Sequence, residues 1–264
     1  MHLDWQQPWF TTWAPYGEKV LLDWQQNAQH LHQALNRSFL TGSGNQLGEK
    51  NNKLQISREA LSEDGCVRFV PQQDLPSGTA YETFIFQHKH IPTRNNAHDF
   101  FNGLCWLRFP QSKTKLNHMQ AQAISIDGVK AQRGALRDAL TLFDENAALL
   151  SAPPAIWQAL QLKQWPELFV LHRDAWQEAK LLLFGHALLE KFLHPYKGIT
   201  AHVLCIPMPE FQTDEAIDTW LCQQLSDELL KTKPFVPLPL SGIPGWWPAN
   251  QDPVFFEDKK VFRD

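Results

Sequence analysis

The sequence is poor in cysteine and has no paired-cysteine motif. Its four cysteines are spread over 264 residues, and none belongs to a CxxC pair. This spacing argues against a zinc ribbon and against a thioredoxin-like redox motif, so we interpret the cysteines as reduced thiols. Cys105 stands in an apolar segment, where burial would raise its pKa and weaken it as a nucleophile.

The sequence also lacks an excess of basic residues and any long apolar run. Its formal net charge is −4 and its pI is near 6.2, so no broad basic surface for nucleic acid is expected. The longest apolar stretch, residues 181–189, is interrupted by His186 and is too short to span a bilayer. The first residues show no basic segment followed by an apolar run, and we therefore expect a cytoplasmic protein without a secretory signal.

Two common catalytic motifs are absent as well. The stretch GSGNQLG is not followed by Lys-Ser or Lys-Thr, so it does not form a phosphate-binding loop of the P-loop type. No Gly-x-Ser-x-Gly sequence occurs, which argues against a hydrolase with a nucleophile elbow. We interpret residues 41–53, which contain the first stretch, as a flexible surface loop.

Aromatic residues, in contrast, are abundant. The chain contains 11 Trp and 17 Phe, and such side chains dominate the energetics of cores and interfaces. We therefore expect a wide aromatic core or an aromatic-lined pocket. The tail, residues 233–264, has too many prolines for regular structure, but its aromatic residues are not typical of a disordered segment. It is predicted to pack on the domain in an extended conformation.

The hydrophobic periodicity predicts one α+β domain over residues 1–264, with several helices packed on a small mixed or antiparallel sheet and an extended aromatic C-terminal wrap. The predicted helices are 18–39 within an N-terminal region 1–40, 97–109, one capped by Ser112, one opened by Ser151 and Pro153, 165–192, and one beginning at Thr213. The predicted strands are 66–70, 80–87, a hairpin within 137–150, and 198–207. His30 and His32, two apart on the first helix, are not expected to share a face.

Residues 91–120 combine many polar side chains with large apolar ones and form the most informative segment. In one interpretation Asn95 or Asn96 caps a helix over 97–109, Pro110 ends it, and Ser112 caps a second helix. In the other, residues 102–109 form a strand. The spacing of apolar residues favours the helix, which places His98 and Asn102 on one stripe.

The candidate site residues come from this segment and from polar residues farther along the chain. Histidine, carboxylate and amide side chains in aromatic surroundings are typical of pockets with perturbed pKa values. The candidate catalytic residues are His98, Asp99, Asn102 and Asn117; the candidate binding residues are Arg94, Lys113, Arg137 and Trp106; the candidate metal ligands are Asp144, His186 and His202. Because Glu190 lies four residues after His186, its carboxylate is predicted to orient that imidazole.

Structural explanations of the same residues stay open. His98, Asp99 and Asn102 would also suit a helix N-terminus, where the carboxylate complements the helix dipole. Arg137 with Asp144 and the neighbouring carboxylates would also suit a buried ion-pair network.

Three long motifs resemble a bacterial family known as the domain of unknown function number three thousand and twenty-five. They are PTRNNAHDFFNGLCWLRFPQSKTKLN, then RGALRDALTLFDENAALL with FGHALLEKFLHPYKGITAH, and the closing GIPGWWPANQDPVFFEDKKVFRD. The resemblance runs from about Phe69 to the C-terminus. It implies that the polar residues of the three motifs belong to one architecture, and it implies no activity.

The run NGLCWLRFPQSKTKLNH is also similar to part of the HNH endonuclease motif. That likeness implies that His98 is a general base, Asn102 its orienter, and Asn117 or His118 a ligand of a divalent metal. The sequence departs from the motif in its short spacing between His98 and Asn102 and in having no zinc-knuckle cysteines. The likeness also requires the strand interpretation of residues 102–109.

The leading functional hypothesis is a small intracellular hydrolase that acts on phosphodiesters, with a divalent metal as a candidate cofactor. The alternative is a non-catalytic module that binds a protein or a small ligand through an aromatic surface. Neither hypothesis involves a membrane or a broad nucleic-acid-binding surface.

Overall fold

Helices and short strands alternate along the chain. The computed structural model describes residues 1–41, 67–127, 134–207 and 212–263. The helices are α1 (Ala14–Gln26), α2 (Leu31–Thr41), α3 (Tyr81–His88), α4 (Ala97–Arg108), α5 (Pro110–Asp127), α6 (Ala135–Asn146), α7 (Pro154–Gln161), α8 (His186–Lys191), α9 (Asp214–Gln224) and α10 (Asp227–Lys231). The strands are β1 (Arg68–Pro71), β2 (His90–Thr93), β3 (Ala147–Ser151), β4 (Lys180–Leu183), β5 (Thr200–Cys205) and β6 (Val236–Pro239). None of the described helices has the length and apolarity needed to cross a membrane.

A four-stranded mixed sheet lies at the centre of the second half of the chain. Its strand order is β4-β3-β5-β6, with β3 parallel to β5 and the other neighbours antiparallel. Every residue of β3 is buried, as expected for a central strand that is covered on both faces. The predicted α+β class with a small mixed sheet is therefore confirmed, and the strand predicted at 198–207 is present as β5.

The predicted strand at residues 80–87 is wrong, because helix α3 occupies this position. Strands β1 and β2 pair in parallel in a separate two-stranded sheet, and α3 makes the connection between them. The helix ends at His88, and the next residue, Lys89, has a left-handed backbone with φ 58°. The alternating aromatic and β-branched residues favoured a strand locally, but the packing of this segment against α5 overrides that propensity. Cys66, at the start of the predicted first strand, lies outside the described residues.

The prediction of one continuous helix over residues 18–39 is wrong. The chain leaves α1 at Asn27 and begins α2 at Leu31, whose amide donates to the Asn95 side chain at 2.8 Å. Apolar residues face the core on both sides of this break, so the periodicity concealed it. The rings of His30 and His32 stack with centroids 5.5 Å apart, which is contrary to prediction, because His30 precedes the helix. The loop predicted at 41–53 lies outside the described residues beyond Thr41.

The hairpin predicted within 137–150 is also wrong. Residues up to Asn146 form helix α6, and the chain then passes directly into strand β3. Leu136, Leu140 and Phe143 recur at helical spacing and face inward, so the polar residues that follow them end a helix and do not form a β-turn.

The long helix predicted at 165–192 is replaced by several short elements. A π-helical turn, Glu167–Leu171, and a 3-10 turn, Asp174–Gln177, precede strand β4 and helix α8. Gly185, between β4 and α8, packs so closely on the end of α6 that an added Cβ would lie 2.4 Å from the Glu145 carbonyl oxygen. A glycine is required there because the main chains of the two segments touch, and this contact places His186 beside α6.

The C-terminal tail, residues 233–264, packs on the domain, but the prediction that it has no regular structure is wrong for its first part, where β6 pairs with β5. Beyond β6 it forms short 3-10 turns and buries Phe256 and Phe262. The buried Asn250 side chain donates to the carbonyl oxygens of Ser241 and Ile243 at 2.9 and 2.7 Å. Lys197 Nζ lies 4.0 Å from the centroid of the Phe255 ring. Beyond β6, aromatic packing and buried amide hydrogen bonds hold the tail in place.

Candidate functional site

Helices α4 and α5 bring together the polar part of residues 91–120. Asn96 caps α4, and its side-chain oxygen accepts a hydrogen bond from the Asp99 amide at 2.8 Å. Helix α5 begins at Pro110, so the prediction that Ser112 caps it is wrong; Ser112 lies inside the first turn, and Asp218 of α9 accepts from its amide at 2.8 Å. The helical interpretation of residues 97–109 is confirmed, and the strand interpretation of 102–109 is wrong.

A buried lysine joins helices α3, α4, α5 and α6. Lys113 of α5 forms an ion pair with Asp144 of α6, and it donates to Asn102 Oδ1 of α4 at 2.9 Å. Asn102 Nδ2 in turn donates to the Tyr81 hydroxyl of α3 at 3.1 Å. Since the Lys113 side chain is only 4% exposed, these protein groups replace the water that would otherwise solvate its charge.

Two histidines extend these contacts toward the surface. His186 of α8 donates from Nδ1 to the Asp144 carbonyl oxygen at 2.8 Å. The Nε2 atoms of His186 and His98 are 3.1 Å apart, and His98 Nδ1 lies 2.8 Å from the Glu190 carboxylate. The predicted contact of Glu190 with His186 is therefore wrong, because Glu190 contacts His98. We call this connected set the histidine cluster; its members are Tyr81, His98, Asn102, Lys113, Asp144, His186 and Glu190.

The histidine cluster runs from the interior to the surface. The side chain of His186 is 7% exposed and that of Asp144 is 17% exposed. The His98 and Glu190 side chains are 33% and 38% exposed. A molecule arriving from solvent would therefore meet His98 and Glu190 first, and the other members would act on it through them.

Burial dominates the electrostatics of the inner members. It lowers the pKa of His186 to about 3, with the Lys113 and His98 charges acting in the same direction and Asp144 opposing. Burial raises the pKa of Asp144, but the charge and hydrogen bond of Lys113, together with the His186 and His98 imidazoles, lower it by more, and the net direction is downward. The pKa of Tyr81 is raised by burial and by the Asp99 charge. At neutral pH His186 and Tyr81 are therefore neutral and Asp144 is ionised.

An arginine–carboxylate pair lies beside the cluster at the start of α4. Arg94 binds Asp99 through Nε at 3.1 Å and Nη2 at 2.8 Å, and its main-chain amide donates to the same carboxylate at 2.6 Å. The Asp99 carboxylate therefore stabilises the turn that leads into α4. Arg94 has a 56% exposed side chain and is the charged group of this pair that solvent reaches.

Three other predicted residues lie at the edge of the cluster or away from it. The ring centroid of Trp106 is 5.6 Å from Lys113 Nζ, so this side chain packs on the cluster. Asn117 donates to the Glu82 carbonyl oxygen at 2.8 Å and ties α5 to α3. Arg137 is half-buried in the first turn of α6, about two helical turns before Asp144, so the structure does not bring it to the histidine pair.

The structure does not assemble the predicted metal site of Asp144, His186 and His202. His202 lies on β5, where its Nδ1 atom is buried without a hydrogen-bond partner in the described part of the chain. Burial and the Lys191 charge lower its pKa. Among residues 1–41, 67–127, 134–207 and 212–263, no three His, Cys, Asp or Glu side chains are arranged to hold a metal ion. The cation beside Asp144 is the Lys113 ammonium.

Two members of the cluster have roles that the sequence analysis missed. Tyr81 was assigned to a strand, whose alternation gave no reason to point it at Asn102. Glu190 was assigned to the wrong imidazole, because residues four apart on a helix were expected to contact each other. The helical spacing does place His186 and Glu190 on one face, and it allows both side chains to reach His98 from the same side.

The expectation for Cys105 is confirmed. Its thiol is buried and donates to the Phe184 carbonyl oxygen at 3.2 Å. Burial raises the pKa of Cys105 to about 12. The side chain is therefore a protonated part of the core and not a nucleophile.

A second polar network lies at the other end of α4. Arg108 donates to the Asp214 carboxylate and to the Thr12 carbonyl oxygen, both at 2.7 Å, and Tyr16 donates to Asp214 at 2.7 Å. The Arg108 guanidinium carbon is 4.6 Å from the centroid of the Trp13 ring. We call these residues the arginine network. Burial and the bond to Asp214 raise the pKa of Tyr16, and none of the side chains in these contacts is an imidazole.

Comparison with known proteins places the chain in a family. The family described as "Protein of unknown function (DUF3025)" matches residues 67–264, which is most of the chain. The chain belongs to the DUF3025 family. No match to it was found among curated proteins or among solved structures.

Every member of the histidine cluster lies within the region that defines this DUF3025 protein, whereas α1 and α2 precede it. The resemblance identified from the three long motifs is therefore confirmed. The likeness to HNH endonucleases is not, because it requires a strand where the DUF3025 protein has helix α4. His118, a metal-ligand candidate of that likeness, is exposed and its ring packs against Phe86, with centroids 4.6 Å apart.

Proposed function

We propose that this DUF3025 protein is a hydrolase and that His98 is its acid–base catalyst. The observation that carries the proposal is the position of the His98 ring between the Glu190 carboxylate at 2.8 Å and His186 Nε2 at 3.1 Å. A carboxylate that holds one ring nitrogen fixes the orientation of an imidazole, which is how acid–base histidines are positioned in many enzymes. His98 is also the histidine of the cluster that solvent reaches.

The reaction would be hydrolysis of an ester by water. The bond between the central atom and the leaving oxygen breaks, and that oxygen receives a proton from His98. Water adds its oxygen to the central atom, and the proton it releases returns to His98, so protons balance over one turnover. No cysteine or serine nucleophile is required, in agreement with the buried, protonated state of Cys105 and with the absence of a nucleophile elbow from the sequence.

The substrate class we propose is a phosphate ester, with phosphodiesters as the first candidates. Arg94 supports this choice, because its exposed guanidinium lies at the start of the helix that carries His98. A guanidinium suits phosphate oxygens through its planar set of donors. A divalent metal would add Lewis-acid stabilisation of the phosphate, and the proposal includes metal activation as a measurable property.

The test is an activity screen with a matched histidine control. Purified protein would be assayed on bis(p-nitrophenyl) phosphate, p-nitrophenyl phosphate and p-nitrophenyl acetate, each with and without Mg²⁺, Mn²⁺ or Zn²⁺. We expect turnover of a phosphate ester that falls at least about 100-fold in His98→Ala, the usual range for a general acid or base. His194→Ala removes an exposed histidine of the same region and should leave turnover unchanged.

Two results would contradict the proposal. Equal turnover in wild-type protein and His98→Ala would show that any activity comes from elsewhere or from a contaminant. Complete inactivity on all three substrates with every metal, in protein whose fold is verified by circular dichroism, would exclude the proposed hydrolysis of these esters.

The alternative, a binding module with an aromatic surface, has less support from side-chain exposure. All eleven Trp residues lie within the described ranges, and each is buried or half-buried. Phe86 and Tyr196 are the aromatic members among the exposed large apolar side chains of the described residues. The aromatic residues are therefore used mainly inside the domain.

We also infer a cytoplasmic location. Cys105, Cys205 and Cys222 are free thiols, and Cys205 is exposed. Exposed free thiols are typical of proteins kept in a reducing compartment. Fractionation of expressing cells would test this, with recovery outside the cytoplasmic fraction contradicting it.

A further inference from the structure

We infer that His98 is held as an imidazolium that donates from both ring nitrogens, and that His186 is the neutral buried acceptor that keeps it so. This assigns His186 a positioning role at the site. The protonation state is independent of the proposed hydrolase activity, whereas its catalytic use rests on that proposed function.

The hydrogen-bond acceptors around the two rings fix where the protons are. His186 Nδ1 faces the Asp144 carbonyl oxygen at 2.8 Å, and a carbonyl only accepts, so this nitrogen carries a hydrogen. His186 is otherwise neutral, because a second proton on a ring so deeply buried is unfavourable. Its Nε2 atom therefore presents a lone pair to His98, 3.1 Å away.

The His98 ring faces acceptors on both sides. Its Nδ1 atom lies 2.8 Å from Glu190 Oε2, and an ionised carboxylate only accepts. Its Nε2 atom faces the lone pair of His186. A neutral His98 has a hydrogen on only one ring nitrogen. Its other nitrogen would then point a lone pair either at the Glu190 carboxylate or at the lone pair of His186 Nε2. The doubly protonated ring is the form that satisfies both contacts.

The charges that surround the pair favour the same state. Lys113 of α5 and Asp144 of α6 cancel in a direct ion pair. The Arg94–Asp99 pair at the start of α4 also cancels, and Tyr81 of α3 is neutral. Glu190 of α8 is a carboxylate that contacts His98 and also interacts electrostatically with Arg94. An imidazolium at His98 brings the cluster to zero net charge, as expected for partly buried charges.

The protonation state of His98 decides whether this residue begins a reaction as an acid or as a base. In its resting state His98 has no free lone pair, so it would begin a reaction as a proton donor to a leaving oxygen. A substrate oxygen would take the place of one of its two acceptors. His186, which is 7% exposed, would hold the orientation of His98 without touching the substrate, and the proton released by the attacking water would return to His98.

The experiment is nitrogen-detected NMR of the histidine rings at neutral pH without substrate. Protein labelled with ¹⁵N-histidine contains eleven imidazoles, and His98→Ala and His186→Gln would assign the two rings of interest. We expect both His98 nitrogens to show the shifts of protonated imidazolium and His186 to show Nδ1 protonated and Nε2 unprotonated. A neutral His98 in either tautomer, or an unprotonated Nδ1 in His186, would overturn the inference.

Glu190→Gln provides the quantitative test, because it removes one charge at a partly exposed position and should preserve the fold. We expect the ratio of imidazolium to neutral His98 at neutral pH to fall about tenfold or more, as is usual when an adjacent opposite charge is lost. Glu178→Gln removes an exposed carboxylate elsewhere and should leave the ratio unchanged. An unchanged ratio in Glu190→Gln would refute the charge argument.

The NMR result and the activity screen fail separately. If His98 is an imidazolium but no ester is hydrolysed, the proposed function is wrong and the protonation state stands. If esters are hydrolysed but His98 is neutral at rest, the hydrolase proposal stands and His98 begins the reaction as a base.

Discussion

The two polar networks of this protein are alike in composition and different in access. Each contains a buried cation paired with a carboxylate on another helix, Lys113 with Asp144 and Arg108 with Asp214. The arginine network is closed by aromatic rings, with Trp13 and Phe109 at 4.6 and 5.2 Å from the guanidinium carbon. The histidine cluster instead continues through two imidazoles to a half-exposed end.

A buried ion pair is therefore by itself weak evidence for a functional site. Such pairs commonly serve packing and specificity of the fold. What distinguishes the histidine cluster is that it contains two imidazoles in contact, one of which, His98, can be reached by a ligand. The arginine network has neither feature, and we interpret it as a connection between the N-terminal segment, α4 and α9.

The largest predicted difference between the two networks is in stability. Lys113→Met leaves the buried Asp144 carboxylate without its cation and should lower the free energy of unfolding by about 3–5 kcal/mol. Arg108→Met should lower it by about 2 kcal/mol, because Asp214 is 28% exposed and can recruit water. The variant also removes the buried Arg108 Nε donor, which has no partner among the described residues. Urea denaturation of each variant provides the measurement.

Lys191→Met is the matched control for this experiment. Lys191 is exposed and donates to Asn146 at 2.7 Å, close to the cluster but outside it. Its loss should change stability by no more than about 0.5 kcal/mol. Equal losses in Lys113→Met and Arg108→Met would mean that access to water does not distinguish the two networks.

The next effect is a dependence of stability on pH that the buried His186 of the histidine cluster should produce. In the unfolded chain an imidazole binds a proton below about pH 6.5, whereas burial keeps His186 neutral in the folded state because its pKa is lowered to about 3. The unfolded state therefore binds the additional proton as the pH falls through this window. Stability should decrease on acidification by up to about 1.4 kcal/mol per pH unit.

His186→Gln isolates this contribution. The glutamine amide can still accept a hydrogen bond from His98, but it does not titrate. Below about pH 6.5, the slope of the unfolding free energy against pH should therefore decrease by the amount that corresponds to one bound proton. Arg108→Met should keep the wild-type slope. Asp144, whose pKa is lowered, adds to the loss in the same direction at more acidic pH. An unaltered slope in His186→Gln would place the His186 ring in a solvated position.

Much of the fold was predictable because local signals and tertiary packing agree. The Asn96 and Thr213 caps were recognisable from the sequence, and α4 and α9 begin where these residues predict. The predictions failed where the packing decides between two local options. Residues 80–87 alternate like a strand yet form α3, and Gly185 interrupts an apolar run because a main-chain contact, invisible in the sequence, requires it.

The site was predictable in its members more than in its contacts. His98, Asn102, Lys113, Asp144 and His186 were all candidates and do meet. Their partners could not be assigned, because hydrogen bonds such as His98–Glu190 join residues 92 positions apart through the packing of α8 on α4. His202 has the same local character as His186, a histidine in an apolar run, and it lies on the strand that the sequence predicted, opposite Ala147; among the described residues it forms no metal-binding group with Asp144 and His186.

The smallest predicted effect compares the caps of the two helices that serve the two networks. Asn96→Ala and Thr213→Ala each remove a side-chain oxygen that accepts a main-chain amide, at 2.8 and 3.1 Å. Each should lower stability by about 1 kcal/mol. Only Asn96→Ala should also shift the His98 ring signals in NMR, because it loosens the first turn that carries His98, whereas Thr213→Ala loosens the turn beside Asp214. If both variants shifted the His98 signals equally, the two networks would be coupled through α4, and the separation between an accessible site and a closed structural network would not hold.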